Sequence, residues 1–381
     1  MLFIYKQICH TKNYTNERSN KVNIILHGAT NCNSSNYGDY IYGKMIYDYL
    51  KKQKVNCCFY QPSDFFKKNL TNYPKDNIDL KNATAIIYVP GVYFGEGHNA
   101  KLKENIVHFL RCLPIGIKAS YKKIPIAVLA IGAGPNKCWF MNMGIKKICK
   151  HAKFITVRYK ESYNALNKLT KNKANIIESF DYIILNNYIT NKKYKQIEEI
   201  KKNKGNKKIL LIHYNHSEIA LEKFAVSLNK FLVNNNEYYT VITADSILEN
   251  EDELFAKFNN ICNKANYHFI YDDPNELTEL LNICNLVLTC KLHVGVVASL
   301  FHKSVVVSAC HPEKTKRFYD AIGEVDRCTS LFEASVDDIV ELLNKYQNKK
   351  IEIPKNLFEK ANITKVELDK FLKDLNHENS K

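Results

Sequence analysis

The N-terminal half of the chain alternates short, continuously apolar runs with longer stretches of helical periodicity. Hydrophobicity at successive positions, rather than at every second one, predicts strands that are covered on both faces, as in a parallel sheet. These runs are Val22–Leu26, Ala83–Val89, Ile124–Ile131 and Phe154–Val157. The helical stretches are Tyr40–Lys52, Ala100–Cys112, Asn142–His151 and Glu161–Leu169. Strands and helices in alternation predict an open α/β sheet.

The same alternation begins again after a polar, lysine-rich segment at 186–208 that contains Gly205. Such a segment is typical of a linker or an exposed hinge helix. The predicted strands beyond it are Ile209–His213, Tyr239–Thr243, His268–Tyr271, Leu286–Thr289 and Ser304–Ala309. The predicted helices are Ser217–Val233, Asp252–Cys262, Asn275–Ile283, Val294–His302, Lys316–Ile322 and Val336–Tyr346. A second α/β sheet is therefore predicted.

Together the two halves predict an α/β protein of two Rossmann-like domains that face each other across a cleft. We place the N-terminal domain at 1–190, a linker or hinge at 191–207 and the C-terminal domain at 208–350. The tail at 351–381 contains an amphipathic stretch, Pro354–Leu375, that could form a helix packing back on the N-terminal domain. In open α/β sheets, ligands bind at the carboxyl ends of the strands, which here means the cleft.

Composition adds the expectation of an anionic partner. The chain has 381 residues, of which 45% are hydrophobic; this suits two domains and excludes a disordered tail, a small disulfide scaffold and a collagen-like chain. Its 55 Lys and Arg against 39 Asp and Glu give a net charge of +16. Most of the lysines are spread along the chain as a solvated background, so the charge alone does not distinguish among nucleic acid, membrane, phosphorylated small molecule and acidic glycan.

The cysteines and the N-terminal sequence favour a reduced, cytoplasmic environment. The twelve cysteines include no CxxC pair, which argues against a zinc ribbon. Several of them, such as Cys57 and Cys284, stand inside apolar runs as buried free thiols do. Met1–Cys9 lacks the apolar core of a signal peptide, and no apolar run is long enough to span a bilayer. We therefore expect a cytoplasmic protein with reduced thiols.

Four loops of the N-terminal half follow predicted strands and offer candidate site residues. These are Asn36, Gly38, Asp39, Tyr93, Glu96, His98, Gly132, Gly134 and Arg158. Gly38 permits a tight turn, and Asp39 could either cap the next helix or act as a base. Glu96 and His98 could exchange protons with a ligand or simply be solvated. Arg158, at a strand end, could hold a carboxylate or phosphate, or pair with a neighbouring glutamate.

The most informative stretch of the C-terminal half is Thr289–Ala298, where a buried strand gives way to a helix of small residues. The free amides at the start of that helix, together with Lys291, form a ready anion site. His293 stands where it could donate a proton beside a bound phosphate, although a lone histidine is more often structural. Lys314 follows the next strand and either adds to this charge or belongs to the lysine background.

In the order and spacing of these motifs, the chain resembles the polysaccharide pyruvyl transferase family over most of its length. Asn36–Asp39 is similar to the family's N-x-G-D opening, Gly132–Pro135 to its G-x-G-P turn and Val157–Ser162 to its V-R-D-x-x-S element. Asp272–Ala298 looks like the block that leads into R-x-H, and Lys314–Gly323 is spaced like the closing K…F…G.

Three departures from the family pattern stand out. Lys291 occupies the place of an arginine, Tyr159 that of an aspartate, and Pro90 and Val92 stand where a glycine triplet is commoner. Lysine keeps the charge but loses the bidentate recognition of a carboxylate or phosphate that arginine provides.

The resemblance implies a GT-B-like fold and transfer of the pyruvyl group of phosphoenolpyruvate, as a cyclic ketal, onto two hydroxyls of a sugar in a cell-surface polysaccharide or its precursor. It implies no metal and no cofactor besides phosphoenolpyruvate as co-substrate. His293 would be the acid and Asp39 a base. The C-terminal domain would be the donor side, and the donor-binding residues would be Arg158, Lys291, Lys314, Gly132 and Gly134. Acceptor binding, on the N-terminal side, would fall to Asn36, Gly38, Tyr93, Glu96 and His98.

A lipid-linked acceptor would bring the protein to the inner face of the membrane, in peripheral contact with its anionic surface. Three alternatives stay open. A GT-B glycosyltransferase using a nucleotide sugar would share the cleft, although no E-x₇-E element lies between Lys291 and Lys316. A nucleic-acid-binding protein would explain the charge, but no basic face with interleaved aromatic residues is visible, so no specific nucleic-acid partner is expected. An inactive, glycan-binding member of the family would explain Lys291.

Overall fold

The apolar runs of the N-terminal half form one parallel sheet in the computed structural model, which describes residues 22–28, 35–74, 78–95, 101–134, 136–186, 192–214, 218–247 and 249–379. Its strands are β1 (Asn23–His27), β2 (Asn56–Phe59), β3 (Ala85–Tyr88), β4 (Gly91–Phe94), β5 (Ile126–Ala133), β6 (Phe154–Val157) and β7 (Ile176–Glu178). They follow the order β2-β1-β3-β5-β6-β7, and β4 pairs with the end of β5. Helices cover both faces of the sheet, which is why its strands are apolar at successive positions.

The helices of this half lie in two layers. They are α1 (Tyr37–Lys52), α2 (Asp64–Asn69), α3 (Leu102–Cys112), α4 (Pro114–Tyr121), α5 (Trp139–His151), α6 (Lys160–Thr170) and α7 (Lys195–Asn203). Helices α3 to α6 pack on one face of the sheet, and α1 packs on the other, towards the C-terminal domain. Helix α7 occupies most of the segment predicted as a linker.

The C-terminal domain repeats this plan with a second parallel sheet. Its strands are β8 (Lys208–His213), β9 (Tyr238–Thr243), β10 (Tyr267–His268), β11 (Leu286–Thr289), β12 (Ser304–Ala309) and β13 (Cys328–Ser330), in the order β10-β9-β8-β11-β12-β13. Its helices are α8 (Glu218–Phe231), α9 (Glu251–Ile261), α10 (Pro274–Ile283), α11 (Leu292–Leu300), α12 (Pro312–Ala321), α13 (Val336–Tyr346) and α14 (Lys355–Asn379).

Each sheet has a switch point where the strand order changes direction. In the first sheet β1 lies between β2 and β3, and in the second β8 lies between β9 and β11. Ligands of open α/β sheets bind outside the carboxyl ends of the strands at such points. The loops after β1 and β3 in the first sheet, and after β8 and β11 in the second, are therefore the places where a site is expected.

The two domains are joined by a continuous core along α1, which packs against α10 and α11. The hydroxyl of Tyr37 lies 2.8 Å from that of Thr278, and Asn275 donates a hydrogen bond of 3.1 Å to the hydroxyl of Tyr40. The rings of Phe180 and Phe318 stack across the same boundary with centroids 5.8 Å apart. The interface thus combines apolar burial with buried hydrogen bonds, which fix the register of one domain on the other.

Helix α14 crosses back to the N-terminal sheet, where it packs on β5 and β6. Phe371 lies edge-on to Phe154, with ring centroids 6.0 Å apart. Beneath this contact a chain of buried hydroxyls joins the helix to the sheet: Thr364 lies 3.0 Å from Thr156 and 2.8 Å from Ser179. No helix in the described part of the chain has both the length and the apolar content needed to cross a membrane.

Several element boundaries differ from the sequence predictions. The sequence predicts a loop at 90–99, but Gly91–Phe94 is strand β4, because β5 extends beyond the end of β3 and offers it a pairing edge. Helix α12 starts at Pro312 rather than at Lys316, since proline suits the first turn of a helix. Helix α11 starts at Leu292 rather than Val294, which places His293 within the first turn.

We expect Thr364→Val to lower the free energy of unfolding by about 1–3 kcal/mol, because it removes one hydroxyl from a buried network and leaves its neighbours short of a partner. Urea denaturation of the purified protein measures this change. Thr71→Val, at an exposed threonine, is the matched control and should unfold like the wild type. Equal stability of the two variants would show that the hydroxyl chain does not help to hold α14.

Candidate active site

A pocket of about 230 Å³ lies between the domains at the switch points of both sheets. Its walls are formed by Asn36, Asp39, Asp245, Cys290, Lys291, Leu292, His293, His311, Lys314 and Thr315. The first two of these come from the N-terminal domain and the rest from the C-terminal domain. A wider groove of about 1090 Å³ lies against α1 and α10. Charged side chains on its walls pair with one another, as Lys68 does with Asp272 and Lys192 with Asp273, so we place the candidate site in the smaller pocket.

The start of α1 brings the N-terminal domain to this pocket. The side chain of Asn36 caps the helix by accepting a hydrogen bond of 3.2 Å from the backbone N–H of Asp39. Of the alternative roles expected for Asp39, that of the cap is therefore wrong: Asp39 is the third residue of the helix, and its carboxylate reaches the pocket wall. Asn36 also donates to the carboxylate of Asp245 at 3.4 Å, and the N–H of Tyr37 donates to the Asp245 carbonyl at 3.1 Å.

Gly38 sits directly against His293, the second residue of α11. A Cβ atom at position 38 would lie 1.8 Å from Nδ1 of that imidazole, far inside van der Waals contact. The ring also meets Tyr42 edge-on, with centroids 5.0 Å apart and planes at 87°. Glycine at this position is what lets α1 approach α11 closely enough to close the pocket.

The imidazole of His293 is held in its neutral form. Withdrawal from water lowers the pKa of His293 well below its ordinary value, and the positive charges of Lys314, Arg158 and Lys291 lower it further. Among the residues that the structure describes, none accepts or donates a hydrogen bond at its Nε2. The pocket thus contains a neutral histidine surrounded by cations.

The two lysines of the pocket titrate differently. Burial would lower the pKa of Lys291, but the carboxylate of Asp245, 3.6 Å from its Nζ, acts against burial together with the thiols of Cys290 and Cys310, and the pKa is raised. Burial, reinforced by the charge of Arg158, lowers the pKa of Lys314 to about 8. Near neutral pH both side chains are charged, but Lys314 loses its proton at only slightly higher pH.

The pKa of Asp39 is raised by its removal from water, while Lys314 and Lys291 oppose that rise. A carboxylate in this setting accepts a proton more readily than an exposed aspartate does. Asp39 and His293 reach the pocket from different domains. The charges of Lys291 and Lys314 act on both groups.

Arg158 lies behind the pocket rather than on its wall. The side chain is 1% exposed, and its Nη1 donates to the hydroxyl of Tyr42 at 2.6 Å and to Asp181 at 3.1 Å. Its Nη2 donates to the carbonyl of Gly91 at 2.9 Å. The same nitrogen lies close to Gly132, since a Cβ atom added there would be 3.2 Å from it. These bonds occupy both terminal nitrogens, which corrects the expectation that Arg158 offers a free fork to an anion.

The remaining predicted residues that the structure describes do not line the pocket. Tyr93 is buried in β4, where its hydroxyl donates to the carbonyl of Pro90 at 2.9 Å. Gly134, which directly follows β5, does not line the pocket. Glu96 and His98 lie outside the described residues. The prediction of an acceptor role for Tyr93 is thus not matched by exposure of its side chain, whereas Asn36, Asp39, Lys291, His293 and Lys314 share one pocket.

Two residues of the site escaped sequence analysis. Asp245 follows β9 and faces Lys291, and the buried His213 at the end of β8 lies 3.7 Å from the same carboxylate. Burial lowers the pKa of His213 to about 4, so it is neutral, and its Nδ1 pairs with the hydroxyl of Thr289 at 2.9 Å. Asp245 and His213 both stand at the ends of predicted strands, in the sequences T-A-D and I-H. A position at a strand end is the same signal that pointed to Lys291.

The arrangement of two facing sheets is shared with solved structures of the GT-B fold. A Listeria monocytogenes protein described as a UDP-N-acetylglucosamine 2-epimerase matches with a TM-score of 0.62 and 13% identity, over 93% of this chain and 97% of its own. The UDP-GlcNAc 2-epimerase of Neisseria meningitidis, solved with UDP-GlcNAc, gives 0.56 and 15%, over 93% and 100%. The α,α-trehalose 6-phosphate synthase of Burkholderia multivorans gives 0.53 and 10%, over 94% and 99%. These likenesses establish the class: a two-domain α/β protein of the GT-B fold, as predicted.

The family follows from the sequence of most of the chain. The family model of polysaccharide pyruvyl transferases matches residues 36–312, from the cap of α1 to the start of α12. This match covers most of the chain and includes the pocket residues Asp39, Lys291 and His293. The chain therefore belongs to the polysaccharide pyruvyl transferase family and is a transferase. No curated protein matches it in overall sequence.

We expect Gly38→Ala to disrupt the site, because the added methyl group must displace the rigid ring of His293 or separate α1 from α11. Turnover should fall by about a hundredfold, the cost of a misplaced catalytic group, and the free energy of unfolding by about 1–3 kcal/mol. Steady-state assays and urea denaturation measure the two effects. Gly134→Ala is the control for stability, since a Cβ there would meet no atom within 4 Å. Equal stability of both variants would mean that the close approach at Gly38 is unimportant.

Proposed function

We propose that the protein transfers the pyruvyl group of phosphoenolpyruvate to two hydroxyls of a sugar in a cell-surface polysaccharide or its precursor, forming a cyclic ketal and releasing phosphate. The observation that carries this proposal is one small pocket, in a chain of the pyruvyl transferase family, that brings together two lysines, a neutral histidine and a carboxylate. These are Lys291, Lys314, His293 and Asp39. They supply a clamp for an anion, a group that can become an acid, and a base.

The donor would bind by its phosphate and carboxylate to Lys291 and Lys314. The start of α11 adds backbone amides and the positive end of a helix to the same place. With a volume of about 230 Å³, the pocket is smaller than the roughly 300–1,000 Å³ of sites for drug-sized ligands. That size favours a small phosphorylated acid over a nucleotide sugar, which is the alternative donor for a GT-B transferase.

His293 would become an acid only when the donor is bound. In the protein alone, burial and three neighbouring cations lower the pKa of His293. The negative charges of phosphoenolpyruvate would offset those cations and raise the pKa again, so that the imidazole takes up a proton on binding. The donor would thereby activate its own acid: the imidazole of His293 would carry the proton only while the donor carbon that receives it is bound.

The reaction then balances in four steps. The imidazolium of His293 protonates the methylene carbon of phosphoenolpyruvate, which becomes a methyl group and leaves positive character on the central carbon. A sugar hydroxyl attacks that carbon and gives its proton to Asp39. The bond from this carbon to the phosphate oxygen breaks, and phosphate leaves with the proton that Asp39 took up. The second hydroxyl attacks the same carbon and gives its proton to the imidazole of His293, which closes the ketal and restores the acid.

Two further residues would hold this machinery in place without touching the reacting atoms. Arg158 fixes the hydroxyl of Tyr42, whose ring packs against His293. Asp245 forms an ion pair with Lys291. It also accepts hydrogen bonds from the side chain of Asn36 and from the backbone N–H of Tyr37, both in the other domain. Both are positioning residues in this proposal.

We expect the purified protein to release phosphate from phosphoenolpyruvate in the presence of a suitable glycan from an acceptor panel, and to add one pyruvyl ketal to that glycan in mass spectra. His293→Gln should reduce the rate by at least about a hundredfold, the contribution of a general acid. His302→Gln, on the surface of the same domain, is the matched control and should keep full activity.

A binding measurement separates loss of the acid from loss of the fold. Calorimetry in buffers of different ionisation enthalpy should show that wild type takes up more protons than His293→Gln when phosphoenolpyruvate binds. Near-full ketal formation by His293→Gln would overturn the acid assignment. Release of nucleotide from a nucleotide sugar, with no consumption of phosphoenolpyruvate, would overturn the donor and favour a glycosyltransferase.

We expect the affinity for phosphoenolpyruvate to fall as the pH rises through about 8, where Lys314 loses its charge. The sign follows because a bound anion raises the pKa of that lysine, so binding is favoured by its protonated form. Binding titrations between neutral and alkaline pH measure this dependence. In Lys314→Met the affinity should be lower, and its fall through pH 8 should disappear. An unchanged fall in that variant would show that another group controls the binding.

A further inference from the structure

The outer helical layer of the N-terminal domain exposes a band of large apolar side chains. On α3, Leu102 and Leu110 are each 64% exposed and Ile106 is 42% exposed, and their spacing of four residues places them on one face of the helix. On α5, Trp139 is 70% and Met143 62% exposed, again four residues apart. Scattered apolar residues are normal at a protein surface, but a set that follows one face of each of two neighbouring helices marks an interaction surface.

The two helices that carry these residues pack directly against each other. Phe109 of α3 lies edge-on to Phe140 of α5 with ring centroids 5.5 Å apart, and Trp139 lies 6.0 Å from Phe140. Gly144 of α5 packs so tightly that an added Cβ would approach Phe109 to 3.1 Å. We call the exposed side chains Leu102, Ile106, Leu110, Trp139 and Met143 the apolar band.

The segment that contains α3 and α5 is strongly basic. Residues 101–151 contain ten lysines and arginines and one acidic residue, Glu104. The carboxylate of Glu104 accepts a hydrogen bond of 2.9 Å from the backbone of Lys101, as part of the capping box of α3. The stretch that carries the exposed apolar residues therefore also holds a large part of the excess positive charge of the chain.

We propose that the apolar band and its surrounding lysines dock the protein peripherally on an anionic lipid bilayer. Apolar side chains that enter the region between headgroups and acyl chains, flanked by lysines that attract anionic lipids, are the two components of interfacial membrane binding. A second copy of the chain is disfavoured as the partner, because it would bring the same positive charge to the interface. Nucleic acid would match the charge but would leave the leucines and the methionine without an apolar environment.

The position of the apolar band relates it to the cleft. Leu102 and Trp139 are the first residues of α3 and α5, which follow β4 and β5. The carboxyl ends of those strands face the cleft, so the band begins at the rim of the N-terminal domain, on the side assigned to the acceptor. Docking by this face would bring the open edge of that domain close to the lipid. The docking proposal itself does not depend on the identity of the reaction.

Trp139 offers a direct test, since it is the only tryptophan of the sequence. With vesicles of phosphatidylcholine and phosphatidylglycerol, we expect its emission to shift to shorter wavelength and to lose its sensitivity to aqueous acrylamide. Vesicles of phosphatidylcholine alone should produce little change. The triple variant Leu102→Ser, Leu110→Ser, Met143→Ser keeps the tryptophan as reporter, and its vesicle affinity should fall by at least about tenfold.

The matched control replaces exposed apolar residues elsewhere, with Val233→Ser and Phe332→Ser in the C-terminal domain; it should bind vesicles like wild type. Circular dichroism checks that the triple variant is folded. Pyruvyl transfer to a soluble acceptor measures the reaction without vesicles, so failure of the reaction is distinguished from failure to bind the membrane. Vesicle binding that is equal in the triple variant and wild type would overturn the proposal, because charge alone would account for it. A dimer in sedimentation velocity that only the triple variant abolishes, without vesicle binding by wild type, would also overturn it and assign the apolar band to a second copy.

Discussion

The close approach of α1 to α11 is the contact on which the site depends. Gly38 removes the one side chain that would keep the helices apart, and His293 fills the space so completely that its imidazole is drawn out of water. The same approach delivers Asn36 and Asp39 to the lysines of the other domain. Domain closure and the protonation state of His293 are therefore coupled, because any separation of α1 from α11 would rehydrate the imidazole and raise its pKa.

The sequence predicted the fold well because its signal was local and repeated. Continuous apolar runs located β6, β11 and β12 at their observed bounds, and their alternation with helices defined the two sheets. Short elements escaped for physical reasons. β2 has only Cys57, Cys58 and Phe59 as apolar residues, and β4 follows a proline and a glycine that normally indicate a turn. Such strands form because a neighbour offers a pairing edge, which a single sequence does not display.

The site was predictable as far as strand ends could be recognised. Lys291, His293, Lys314 and Asp39 converge because parallel strands place their carboxyl ends at one edge. Orientation was not predictable: Arg158 also stands at a strand end, but Asp181, Tyr42 and Gly91 draw its guanidinium into the protein. Asp245 required knowledge that β9 is adjacent to β8 in the second sheet, a relation between segments distant along the chain.

The path of α14 has a consequence for how the protein is made. Residues such as Leu368, Phe371 and Leu372 complete the face of the N-terminal sheet on which the helix packs, although they are synthesised after the whole C-terminal domain. Domains generally fold in the order of their synthesis. Here the first domain must wait with part of its apolar face uncovered, so the two domains are expected to reach their native state together, late in synthesis, rather than one after the other.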